Sequence, residues 1–192
     1  MKNTIQIFIL SFFLGGTLFA QNNDVATNSY WSQGKAEVNV YEVSQNRYQE
    51  NHPGKLISVF VTEDFLIEKQ VKNERYQNKN STWILKNIQV KKFTTGVYDY
   101  SLFSAVFTPI DRNKFPKSLK MSASSQEWCG TIYTQFNLAS NTVYNVEHRS
   151  YFEKEGDINT IIKQSFLEDE VFTVLRMNPS FLPIGNVQFI PP

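Results

Sequence analysis

A two-residue alternation of apolar and polar side chains constrains this chain most strongly, because that period belongs to β-strands with one buried face. In "AEVNV", Ala36, Val38 and Val40 fall on one face of an extended strand. Glu37 and Asn39 fall on the other face. We therefore expect a half-buried strand here, with the two valines turned toward the core.

Further strand-like runs follow, most of them separated by turn signals of hairpin length. They are "KLISVFVTE" (55–63), "WILKNIQVKKFTT" (83–95), "VYDYSLFSAVFTP" (97–109), "SLKMSASSQEW" (118–128), "TIYTQFNL" (131–138), "VYNVEHRSYFE" (143–153) and "INTIIKQ" (158–164). "HPG" (His52–Gly54) precedes the first run, Gly96 separates the second from the third, and "KEGD" (Lys154–Asp157) precedes the last. Pro109 should end the third run, because proline cannot donate to the ladder. Hairpin-length connections predict an antiparallel sheet of at least seven strands.

One segment, "SFLEDEVFTVLRMNP", departs from the two-residue period. Its apolar side chains recur at helical spacing: Leu167, Val171, Val174 and Leu175. Ser165 and Glu168 match a capping box, and Pro179 ends the run. The acidic "LEDE" stretch would then lie in the first turn, where negative charge favours the helix dipole. The pattern predicts a short amphipathic helix packed on the sheet.

The predicted fold class is mainly β, of the α+β kind: a curved antiparallel sheet or partial barrel with one short helix in the C-terminal half. No repeat or glycine- and serine-rich linker divides residues 31–192, so we expect a single β-rich domain. The final run, "NVQFIPP", has two interpretations. Either Ile190 belongs to an edge strand blunted by the prolines, or the protein continues beyond Pro192.

The first residues, "MKNTIQIFILSFFLGGTLFAQNN", have the pattern of a secretory signal peptide. A basic residue, Lys2, precedes an apolar run that ends at Ala20. That run is shorter than the roughly 20 residues of a membrane span. We expect residues 1–20 to be a cleaved signal peptide, residues 21–30 to be a flexible lead-in, and no transmembrane span to remain. The expected location is the periplasm or the periphery of the outer membrane.

Charge narrows the range of partners. Cleavage would remove one of the 19 basic side chains, leaving 18 to balance 18 acidic ones. A chain without net charge gives no electrostatic reason to expect a nucleic-acid partner. The partner is undetermined at this point, with an apolar small molecule or an envelope component as the expected classes.

The single cysteine, Cys129 in "SSQEWCG", excludes an internal disulfide. A thiol nucleophile needs a histidine within hydrogen-bond reach, and His148 lies in a strand-like run that hairpin pairing can bring near. Free cysteines are, however, among the most buried residue types. We therefore expect Cys129 to be a packed structural side chain, while Cys129 and His148 are the candidates for a catalytic site if one exists.

Other site chemistries have little support. Neither His52 nor His148 has a second histidine or cysteine at metal-ligand spacing, and the chain lacks a phosphate-binding glycine loop and a G-x-S-x-G elbow. We expect no metal and no cofactor, and the residue types present favour a protein that is not an enzyme. The candidate ligand-binding residues are Tyr98, Tyr100 and Tyr133, which either line a concave sheet face or cap its rim with their hydroxyls in water.

Several segments carry a family resemblance: "YWSQGKAEVNVYEVSQNRYQE", "ISVFVTEDF", "KKFTTGVYDYSLFSAVFTPID", "SSQEWCGTIYTQFN" and "SYFEKEGD". They resemble a group of exported or lipid-anchored Bacteroidota proteins of undetermined function that often carry the label "septum formation inhibitor Maf". The resemblance implies an envelope location and a chain that continues beyond Pro192. It implies no activity.

The Maf label is not supported by the Maf signature, Leu-Ala-Ser-x-Ser-Pro-Arg-Arg, of the cytoplasmic α/β nucleotide pyrophosphatases. Here "LASNTVYN" has Thr142, Val143 and Tyr144 where that signature has serine, proline and arginine. No Maf residue can therefore be carried over to this chain.

Three functional hypotheses remain. The leading one is an exported cell-envelope binding or structural module, with an apolar ligand as the expected occupant. The second is a hydrolase or thiol enzyme that uses Cys129 and His148. The third is a division-related role, which rests on the Maf label alone.

Export gives the first testable prediction. Because the apolar run ends at Ala20, mass spectrometry of the mature protein should find its N-terminus near Gln21. A mature protein that retains Met1 would contradict the signal-peptide interpretation.

Overall fold

Antiparallel pairing organises most of the chain into one open sheet. The computed structural model describes residues 28–76 and 79–192. Nine strands form the main sheet, which is not closed into a barrel. The prediction of a mainly β fold with an antiparallel sheet and one helix is confirmed.

The elements are β1 (Glu37–Arg47), β2 (Glu50–Leu66), β3 (Val71–Lys72), β4 (Ser81–Thr95), β5 (Tyr98–Pro109), β6 (Lys120–Glu127), β7 (Gly130–Ser140), β8 (Val143–Ser150), β9 (Ile158–Lys163), β10 (Phe166–Leu167), α1 (Glu170–Met177), a 3-10 turn (Pro179–Phe181) and β11 (Phe189–Ile190). The strand order in the main sheet is β1-β2-β4-β5-β6-β7-β8-β9, with β3 paired to β2. The predicted signal peptide and most of the predicted lead-in lie outside the described residues.

Turn chemistry explains one wrong prediction and one correct one. The first hairpin turns at Tyr48 and Gln49, with φ of 54° and 66°, and not at "HPG", which lies inside β2. Two-residue hairpin loops often need positive φ at both central residues, and proline fixes φ near −65°. The β4–β5 hairpin turns at Gly96, with φ of 59°, as predicted.

The first strand faces the opposite way from the prediction. Val38 and Val40 are 59% and 60% exposed, whereas Glu37 and Asn39 are half-buried. Glu37 is held inward because its carboxylate accepts hydrogen bonds from Asn39 Nδ2 at 2.8 Å and from Arg176 Nη2 at 2.9 Å. This edge strand is thereby tied to α1 through an ion pair.

Strand register determines which side chains share the face covered by α1. Directly paired residues point to the same side of an antiparallel sheet. One cross-strand row on this side consists of Phe60, Asn87, Val106, Met121, Phe136 and Val146. Met177 of α1 joins Phe60 in one buried cluster, and Leu167 of β10 joins Val106 and Met121 in another. We call this side the helix face.

The helix is shorter than predicted, and the predicted capping box does not form. The α-helix begins at Glu170, Asp169 makes no side-chain cap, and Ser165 instead donates to the carbonyl of Gln188. The chain before the helix is a short strand, β10, that pairs in parallel with β11. This pairing places "NVQFIPP" beside the helix. Phe189–Ile190 therefore belongs to a small parallel sheet and is not an edge strand of the main sheet.

Burial on the helix also differs from the predicted stripe. Leu175 is 44% exposed. The buried residues of α1 are Glu170, Thr173, Val174 and Met177. Glu170 is therefore a core residue, in contrast to the solvated first-turn acid expected from "LEDE". A charged group in the core needs a partner.

Arg112 provides that partner from the loop between β5 and β6. Its Nη2 lies 3.6 Å from Glu170 Oε1, and the two side chains are 6% and 0% exposed. Burial raises the pKa of the Glu170 carboxyl and lowers that of the Arg112 guanidinium, and the mutual attraction of the two groups opposes both shifts. The pair joins the start of α1 to the loop 110–119.

This ion pair gives a stability prediction. Arg112→Met or Glu170→Leu alone leaves an uncompensated buried charge and should lower the free energy of unfolding by about 3 kcal/mol. The double variant should lose less stability than either single variant, because it removes the desolvation penalties of both charges. Urea denaturation, monitored by circular dichroism, measures the free energy of unfolding of the unaltered protein, the two single variants and the double variant. Additive losses would contradict a coupled pair.

Candidate functional site

The helix is too small to cover the sheet on which it packs. Its eight residues extend about 12 Å at ~1.5 Å per residue. The eight strands of the main path span about 34 Å at ~4.8 Å between neighbours. The helix packs against β4 and β5. Much of the helix face therefore has no helical cover from residues 28–76 and 79–192.

A cavity of about 340 Å³ lies on this face beside the helix. Two adjacent cross-strand rows form most of it. The first row is Leu56, Lys91, Leu102, Ser125 and Ile132, and the second is Gln89, Ser104, Ala123 and Thr134. Asp169, Pro192, Phe103 and Ser124 complete the lining. Phe103 and Ser124 pair with each other in a row whose side chains point to the opposite face. We call this cavity the groove.

The groove is elongated and partly apolar. Its rows cross five strands, from β2 to β7 without β3, which corresponds to about 19 Å. Leu56, Leu102 and Ile132 supply the larger apolar side chains. Polar side chains are linked beside the second row: Gln89 Nε2 donates to Asn87 Oδ1 at 3.1 Å, and Asn87 Nδ2 donates at 2.9 Å to Oγ of Ser58, which is paired with Gln89.

Lys91 is the cation in the groove lining. It stands in register between Leu56 on β2 and Leu102 on β5. Its Nζ donates to Gln45 Oε1 at 2.9 Å. The next residue, Lys92, is paired with Lys55 and Ser101 and lies on the opposite face.

An aromatic cluster lies beyond Lys91, toward the β4–β5 turn. Phe93 and Tyr100 stack with their ring centroids 4.7 Å apart, and both are buried. The Tyr100 hydroxyl lies 2.9 Å from that of Tyr48. Hydrogen bonding to Glu127, and then to Tyr48, raises the pKa of Tyr100 to about 12. The hydroxyl of Tyr100 is therefore a protonated structural group at neutral pH.

The three candidate tyrosines do not share a face. Tyr98 and Tyr100 lie on the helix face at the hairpin end, where the Tyr98 ring meets Trp128 at 5.7 Å between centroids. Tyr133 pairs with Ser124 on the opposite face, and its hydroxyl donates to Gln135 at 2.6 Å. None of the three lines the groove.

The structure separates the two candidate catalytic residues. Cys129 is exposed, in the two-residue turn between β6 and β7, so the expectation of a packed cysteine is wrong. His148 pairs with Thr134 on β7, five residues along the chain from Cys129, which is about 16 Å at ~3.3 Å per residue. Its Nδ1 is 2.9 Å from Thr134 Oγ1 and its Nε2 is 3.8 Å from Glu155. The pair cannot form a hydrogen-bonded thiol–imidazole couple in this arrangement.

Within residues 28–76 and 79–192, no three histidine, cysteine or acidic side chains come together as metal ligands would. Over the same residues, no helix combines the length and the apolar character needed to cross a membrane.

Comparison with known proteins found no matching family model, no matching curated protein and no matching solved structure.

Sequence reasoning missed the groove residues. On β4, Ile84, Ile88 and Val90 suggest that their side is the buried one, and the polar residues Gln89 and Lys91 alternate with them. The available signal was the doubled lysine of "VKKF", which places one cation on each face of the strand.

The position of Cys129 gives a reactivity prediction. Because its side chain is exposed in a turn, a thiol reagent should label it in the native protein without prior unfolding. Cys129→Ser should change the free energy of unfolding by less than about 0.5 kcal/mol. Labelling kinetics with and without urea test this. Labelling that requires denaturant would mean that the thiol is buried.

Proposed function

We propose that this protein is an exported binding module of the cell envelope, which holds an elongated apolar ligand in the groove. The observation that carries the proposal is a partly apolar cavity on the helix face of an open sheet, where α1 leaves part of that face uncovered. Its volume of about 340 Å³ falls within the range of small-molecule sites. A single alkyl chain fits the shape of the two rows.

Burial of the chain would supply the affinity. Each methylene transferred from water contributes about 0.8 kcal/mol, or about a fourfold change in Kd. The second row contains Gln89, Ser104 and Thr134, and alkyl carbons cannot form hydrogen bonds with these polar side chains. That side of the groove would therefore contribute less to the binding free energy. The row of Leu56, Leu102 and Ile132 is therefore the expected track of the chain.

The other hypotheses gain less support from the geometry. A thiol or hydrolase site would need Cys129 and His148 to meet, and the sheet register keeps them apart. A division-related role has no residue in the groove or elsewhere in the described part of the chain to argue from. Export rests on residues 1–20, outside the described residues, and its test is the mature N-terminus.

Neutral alcohols test the proposal. The n-alkanols from hexanol to dodecanol should displace a bound apolar fluorescent dye, with Kd falling about fourfold per added methylene until the groove is filled. Displacement titrations on the mature protein provide the measurement. An affinity that does not depend on chain length would contradict an alkyl-binding groove.

Two neighbouring residues provide a matched control. Ile132→Asp places a carboxylate in the groove lining and should weaken binding of decanol by more than about tenfold, because the charge must stay hydrated. Tyr133→Asp alters the next residue, on the opposite face, and should leave the affinity unchanged. Equal effects of the two variants would place the alcohol outside the groove. Circular dichroism of both variants checks that they fold.

A further inference from the structure

The position of Lys91 carries an inference about the ligand's headgroup, which rests on the proposed function. Lys91 stands in the first groove row between Leu56 and Leu102, and all three side chains line the cavity. Two neighbours in register, one on each side, are therefore leucines. Packing alone does not explain an ammonium group between two leucines.

In the described part of the chain, the charge of Lys91 has no acidic partner. None of the ion pairs among the described residues involves Lys91. Its Nζ donates to the neutral amide of Gln45, and an ammonium has three hydrogens to donate. Two donors of Lys91 are thus available to water or to a ligand in the groove.

Nearby cations and acids give the groove a direction. The other cation at this end of the helix face, Arg47, stacks over the rings of Tyr48 and Tyr100, 5.0 Å and 5.5 Å from their centroids. The acid in the groove lining is Asp169, directly before α1. A second acid, Glu127, lies at the Lys91 end, where it and Arg47 both contact Tyr100. An anionic group would be attracted to Lys91 and repelled by Asp169, and an attached chain would follow the row toward Ile132.

We infer that the groove binds a single-chain amphiphile whose anionic headgroup, a carboxylate or a phosphate monoester, pairs with Lys91. The alkyl chain crosses the strands along Leu102 and Ile132. Lys91 is a binding residue in this assignment. The competing explanation is that Lys91 only covers the leucines with its stem while its ammonium remains in water.

Ligands of equal chain length separate the two explanations. Decanoate, decyl phosphate and decanol are titrated by dye displacement against the mature protein and the variant Lys91→Met. At least one of the two anions should bind the unaltered protein more tightly than decanol. Lys91→Met should weaken that anion about tenfold or more, since charge-assisted hydrogen bonds are the strong ones, and should leave decanol within about twofold.

The control variants are Lys92→Met and Lys91→Arg. Lys92 is the next residue on the same strand, outside the groove lining, so its loss should change no affinity. Lys91→Arg keeps the charge and should retain most of the preference for the anion. The anion that loses more affinity in Lys91→Met identifies the headgroup.

The outcomes distinguish this inference from the proposed function. If decanol binds and Lys91→Met affects neither anion, or weakens all three ligands equally, the headgroup assignment is wrong and the alkyl-binding groove stands. If Lys92→Met weakens anion binding as much as Lys91→Met, the attraction is general surface charge and the assignment is also wrong. If no ligand binds the folded protein, the proposed function fails and the inference fails with it.

Discussion

Cross-strand register in the open sheet is the constraint on which the rest of this structure depends. Each hydrogen-bonded pair places two side chains on the same side, so the pairings from β1 to β9 sort the whole chain into two faces. Shifting one strand by a single residue would exchange its faces. The groove exists because Leu56, Lys91, Leu102, Ser125 and Ile132 share one row.

Two ion pairs then locate the helix on that face. Arg176 in the last turn reaches Glu37 on the edge strand, and Glu170 in the first turn faces Arg112 in the β5–β6 loop. Both ends of an eight-residue helix are thus attached to the sheet or its loops. The buried pair is costly to dehydrate and costly to break, which favours one position of the helix over sliding along the apolar row.

The position of the helix explains why the face is divided. The row nearest α1 is filled by large apolar side chains, Phe60, Val106, Met121 and Phe136 among them. The next two rows combine Leu56, Leu102 and Ile132 with smaller or polar residues and leave a cavity. The filled half supplies the core, and the partly empty half is the binding surface that we propose. The two candidate catalytic side chains, Cys129 and His148, lie on separate elements.

The sequence by itself determined the strands, several of the turns and the class of fold. Alternation, glycine at Gly96 and Gly156 and proline at Pro109 are local signals, and local backbone preferences are enough to decode them. The first hairpin turn was missed because Tyr48 and Gln49 adopt positive φ without a glycine.

Only the tertiary structure decided which face is inside. An alternating strand has two faces, and its own sequence does not say which of them a helix will cover. In β1 the predicted inner valines are exposed, because Glu37 is held inward by Arg176, 139 residues further along the chain. In β4 the groove lies on the side of Gln89 and Lys91, because Leu56 and Leu102 from the neighbouring strands flank Lys91. Ion pairs and register between distant segments are not encoded in any local pattern, so the site appears only when the strands are paired.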